Sequence, residues 1–177
     1  MSRLLTAFVV VVVLAAASAV ASAQGDPFEA WSGFGEGSSV TLESSMVMGA
    51  NTTKSTMKMT LKKKEADKIT ITIESEAMGQ KNSMDQVLEK GGKKSECPAC
   101  KKAHKAPAFK ETGKDKIKIG DKELEVTCME VTQYGCADAE TKSKACINKD
   151  VPGWAVKSET KTEQYSMTMT ATAFEKK

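Results

Sequence analysis

The chain has 177 residues, with 26 basic against 23 acidic side chains, one histidine and five cysteines. Its only arginine is Arg3, so every base beyond the first few residues is lysine. Arginine's planar fork is the usual reader of bases and phosphates, and its absence argues against sequence-specific nucleic-acid binding. A lone histidine and scattered acids offer no obvious acid–base pair, so a non-enzymatic protein is expected.

Residues 1–23 read as a secretory signal peptide. Arg3 gives a positive start, Leu4 to Ala17 an apolar run, and Ala21-Ser22-Ala23 a small-x-small cleavage site ahead of Gln24. The run is short for a bilayer span, so cleavage is expected to leave no transmembrane segment. The mature chain is then exported, to the periplasm or beyond the cell. No cysteine follows the cut, which argues against an acylated lipoprotein. What remains, residues 24–177, is enough for one domain with a core of its own.

The mature chain opens with a helix signal. Asp26 suits an N-cap and Pro27 the first helical position. Phe28, Trp31 and Phe34 recur at a spacing that puts them on one face, and Gly35 and Gly37 end the run. A helix of about two turns is expected over 27–33, with Trp31 plugging one end of a sheet. From Ser38 the period changes to two. Val40 and Leu42, then Met46 and Met48, alternate with polar partners, with a slip near Ser44-Ser45. Met57, Met59 and Leu61 alternate with threonine and lysine, and Ile69, Ile71 and Ile73 with Thr70, Thr72 and Glu74. Leu124, Val126 and Cys128 follow the same rule, as do Tyr165, Met167, Met169, Ala171 and Ala173. Such alternation means strands with one buried and one wet face, which favours antiparallel pairing.

Turn signals separate these runs at Gly49-Ala50-Asn51, Glu65-Ala66-Asp67, Gly79-Gln80 and Gly120-Asp121. The expected fold is mainly β: a curved antiparallel meander of about eight or nine strands, half-barrel-like, with a short N-terminal helix. Two stretches break the rhythm. Gly91 to Gly113 is rich in glycine, proline and lysine and reads as an inserted loop. Asp150-Val151-Pro152-Gly153-Trp154 reads as a turn that opens the last strand pair. Trp31-x-x-Phe34 followed by Gly37-Ser38-x-Val40, together with Asp150-Val151-Pro152-Gly153, resembles a group of exported bacterial β proteins. These are similar in outline to the lipoprotein-carrier (LolA/LolB-like) fold. That resemblance implies a strongly curved sheet with an apolar groove and carries no individual binding residue across.

The sharpest local motif is Cys97-Pro98-Ala99-Cys100 followed by His104. Two thiolates on a tight turn with a nearby imidazole suit a zinc or copper ion, though a fourth ligand must come from elsewhere. The same pair reads as a redox dithiol, its thiolates favoured by Lys101, Lys102 and Lys105. It also reads as a Cys97–Cys100 disulfide stapling the loop, and no cofactor is required. Cys128, Cys136 and Cys146 form a second group. Folding a hairpin about residue 137 places Cys128 opposite Cys146, while Cys136 with Cys146 competes, and spacing leaves the pairing open.

Methionines pair along strands at Met46-x-Met48, Met57-x-Met59 and Met167-x-Met169. Such faces serve as core filler, as adaptable surfaces for apolar ligands, or as soft ligands for Cu(I). The function expected is an exported carrier that holds an apolar or amphiphilic ligand on a Met/Ile/Val-lined face. Met57, Met59, Ile71, Met167 and Met169 are the candidate groove residues. An envelope metal or thiol-redox module using Cys97, Cys100 and His104, and a structural or interaction protein with no small ligand, are the alternatives. The lysine-rich insert suits contact with an anionic envelope surface.

Overall fold

Residues 26–91, 105–134 and 140–177 are described in the computed structural model. The elements are α1 (Pro27–Ser32), β1 (Ser39–Met48), β2 (Asn51–Lys64), β3 (Lys68–Ala77), β4 (Gln80–Glu89), β5 (Ala108–Ile119), β6 (Lys122–Tyr134), β7 (Glu140–Ile147), β8 (Ala155–Lys161) and β9 (Ser166–Glu175). The nine strands form one open sheet in the order β4-β3-β2-β1-β9-β8-β7-β6-β5, every neighbour antiparallel. The sheet is therefore two meanders, β1–β4 and β5–β9, joined where the first and last strands pair. The consecutive strands β4 and β5 form its two opposite edges.

Alternation does the work the sequence assigns to it. Ile69, Ile71 and Ile73 are buried on β3, and register carries that face across the sheet. Ile73 lies opposite Met59, and Met59 opposite Val40. Leu42 lies opposite Met57. The slip expected near Ser44-Ser45 does not occur. Ser44 pairs with Ser55 and the two hydroxyls hydrogen-bond at 2.6 Å, so polar groups on the core face satisfy each other and β1 runs straight through.

The helix starts where its cap predicts. The Asp26 carboxylate accepts from the Phe28 amide at 2.9 Å, and its other oxygen accepts from the Gly91 amide at 3.3 Å, tying α1 to the end of β4. Phe28, Ala30 and Trp31 are buried in the main core with Leu61, Ile69 and Ile71. Trp31 is 4% exposed. Burying a side chain of that size contributes about 4–6 kcal/mol of transfer free energy. The Pro152-Gly153 turn seats the indole: Gly153 has φ +73°, and a Cβ there would sit 3.1 Å from the Trp31 ring. The Gly153 amide donates to the Ala30 carbonyl at 3.1 Å.

The β5–β9 wing is rolled. Its β5–β6 turn comes back against β9, with Lys122 Nζ 4.9 Å from the centre of the Phe174 ring. β5 begins at Ala108, inside the stretch that composition assigns to the insert, because pairing with β6 supplies its backbone partners. Its lysines, Lys110, Lys114, Lys116 and Lys118, belong to an edge strand, where charge discourages pairing with other chains.

Candidate ligand cleft on the β5–β9 wing

Cys128 and Cys146 face each other across β6 and β7 and are joined by a disulfide, as the hairpin fold about residue 137 places them. Both pack against the main core, and Val126, two residues earlier on the same side of β6, is 1% exposed. Beyond the disulfide this face turns from apolar to charged. Lys110 lies opposite Glu130, Glu130 opposite Lys144, Lys144 opposite Glu159, and Glu159 opposite Thr168. The result is a row of alternating charge across four strands, ended by Thr168 on the fifth. Lys157 Nζ stands 2.7 Å from Glu159, and this hydrogen bond and charge hold the Glu159 carboxyl below the usual carboxylate value.

Over this row lies a cleft of about 570 Å³. Its far end is lined by Ala108, Thr132, Lys142, Lys161 and Ser166, and Phe109 and Met167 also border it. Phe109 is 45% exposed. A smaller cavity of about 330 Å³ reaches down to the disulfide and adjoins the first at Lys144 and Glu159. Lysine stems and the threonine methyls of Thr132 and Thr168 give the groove apolar walls, and the ammonium and carboxylate groups give it polar ends. A volume in this range is typical of a small-molecule site.

The residues expected to line a groove lie mostly elsewhere. Met57, Ile71 and Met169 are buried in the main core, and Met59 packs against it. Met167 is buried at the cleft border, the one member of that set found there. By register Met169 falls with Ser158, Ala145 and Met129, the opposite side of the strands from Glu159, Lys144 and Glu130. Cys97, Cys100, His104 and Cys136 lie outside the described residues. Among the described residues no group of three or more His, Cys, Asp or Glu is arranged to hold a metal ion.

Sequence reasoning passed over the cleft lysines. Part of the signal was present: the hairpin fold that pairs Cys128 with Cys146 also pairs Glu130 with Lys144. The β7–β8 pairing was hidden by an irregular register between Cys146 and Ile147.

No protein-family model and no curated protein matches the chain. A solved structure does resemble it: a Bacteroides fragilis protein with a YmcC-like fold, assigned as exported. The TM-score is 0.50 at 7% identity, over 81% of this chain and 97% of that one. At that identity the likeness speaks to the fold. Among the described residues no helix is long and apolar enough to cross a membrane.

Proposed function

We propose that this chain is an exported, non-enzymatic binding or carrier protein that holds an amphiphilic ligand in the cleft over β5–β9. The observation that carries the reading is the groove itself, about 570 Å³ with mixed apolar and charged walls on a rigid, disulfide-pinned sheet. Export is supported by the leader-like residues 1–23 and by the Cys128–Cys146 bond, a linkage typical of oxidising compartments. The binding face is moved relative to the sequence expectation. The methionine and isoleucine face is filled by the protein's own packing, and the space for a ligand is on the lysine-bearing side.

The test is a titration of the delipidated mature protein with a fluorescent fatty-acid analogue. Saturable binding near one ligand per chain is expected, and Thr132→Trp, which fills the cleft, should weaken it. A linear, unsaturable signal removes the carrier reading.

A further inference from the structure

The charges in the cleft are not evenly matched along its length. In the inner row each lysine has a glutamate directly across a strand: Lys110 faces Glu130, and Lys144 lies between Glu130 and Glu159. Ser143–Thr160 is the last β7–β8 pair, and Lys142 of β7 and Lys161 of β8 are the next residues beyond it on the two strands. Their flanking neighbours on the outer strands are Thr132 and Ser166, which carry no charge. Both lysines border the cleft. Glu159, two residues from Lys161, is paired with Lys157 at 2.7 Å; the other carboxylates two residues from either lysine are Glu140, on β7, and Glu163, in the turn after β8. Among the described residues neither forms an ion pair with Lys142 or Lys161.

Like charges gathered at one end of a cleft repel, and an anion seated between them removes that cost. We infer that the Lys142–Lys161 end of the cleft binds the negatively charged head of a single-chain amphiphile, a long-chain carboxylate. Its alkyl chain lies along the stems of Lys144 and Lys110 and the Thr168 methyl, on the same side of the sheet. The hydroxyls of Thr132 and Ser166, flanking the two lysines in the same row, add neutral hydrogen-bond donors for a carboxylate oxygen. This assignment rests on the carrier reading above and adds to it the sign of the head group.

The experiment uses the mature protein and three probes with one dodecyl chain, each below its micelle concentration: dodecanoate, dodecyl maltoside and dodecyltrimethylammonium. Affinity is read by calorimetry for the parent chain, for Lys142→Gln/Lys161→Gln, for Lys142→Arg/Lys161→Arg and for a control, Lys81→Gln on the distant strand β4. Dodecanoate should bind about tenfold or more tightly than the cationic probe. The glutamine pair should lose that preference, and the arginine pair and the control should keep it. Equal affinity for all three heads, or a glutamine pair with undiminished preference, overturns the head-group assignment and leaves the carrier reading standing. Failure of all three probes to bind overturns both. Unchanged circular dichroism of each variant separates a lost site from a lost fold.

Discussion

The two wings of the sheet cover their faces by different means. On β1–β4 a six-residue helix lies across the strands, and Phe28, Trp31 and Phe34 join the isoleucines of β3 in one packed interior. The β5–β9 wing rolls its β5–β6 turn against β9 and is fastened by the Cys128–Cys146 bond. Where neither helix nor roll reaches, the strands expose lysine and glutamate in register, and the space above them stays open. A sheet face with a helix on it has no room for a ligand. The wing without one keeps room, and a covalent tie is added to the core residues, such as Val126 and Val156, that it shares with β1–β4.

That contrast can be broken on either side. The largest effect is expected from Trp31→Ala, which empties the space between α1 and the Pro152-Gly153 turn. The loss should be about 3–5 kcal/mol, measured as a lower urea midpoint. A change under 1 kcal/mol would mean that the indole is not what joins helix to sheet. Next comes removal of the disulfide by Cys128→Ala/Cys146→Ala. The bond closes a loop with a sequence separation of 18, for which chain entropy predicts a contribution of about 3 kcal/mol. Amide exchange should quicken over β6 and β7 and stay unchanged over β2 and β3. Uniform quickening across both wings would show that the two are one cooperative unit.

Much of the architecture could be read from the chain because it rests on local patterns. The period of two in Ile69-x-Ile71-x-Ile73 and Met167-x-Met169 marks strands. Asp26-Pro27 marks a helix start, and Gly120-Asp121 a hairpin. Counting residues about the turn placed Cys128 opposite Cys146, but left Cys136 as a competing partner for Cys146 until the bond was seen. What the pattern could not give is which side of a strand meets which neighbour once the register slips. Irregularities between Thr41 and Leu42, Leu61 and Lys63, Glu111 and Gly113, and Cys146 and Ile147 each offset the count by a residue. The cleft depends on the last of these, so Lys142 and Lys161 read as ordinary solvent-facing lysines until β7 and β8 are paired. The methionines misled for a related reason. A flexible apolar side chain looks the same in sequence whether it lines a groove or fills a core.

The smallest expected effect concerns the ion pairs that dress both wings alike. On β1–β4, Lys63 lowers the Glu65 carboxyl by hydrogen bond and charge, and Lys62 and Thr72 lower Asp85 by hydrogen bonding. On β5–β9, Lys114 lowers Glu125 and Lys157 lowers Glu159 in the same way. A carboxyl held low in the folded state stabilises the fold above its unfolded value and loses that contribution as pH falls through the lowered one. The acid loss should therefore begin below roughly pH 4. Lys63 and Lys114 are raised by their partners, so their contribution is complete below the unfolded lysine value and fades as pH climbs above roughly 10. Between those limits the urea midpoint should be flat with respect to these groups. Because all four pairs are solvent-exposed, salt at the Debye length of a few ångströms should suppress most of the acid-side slope. The slope should also be the same in the parent and in the disulfide-free variant, since both wings carry such pairs. A steeper acid loss in the disulfide-free chain would mean that Glu125 and Glu159 hold the rolled wing together once its covalent tie is gone.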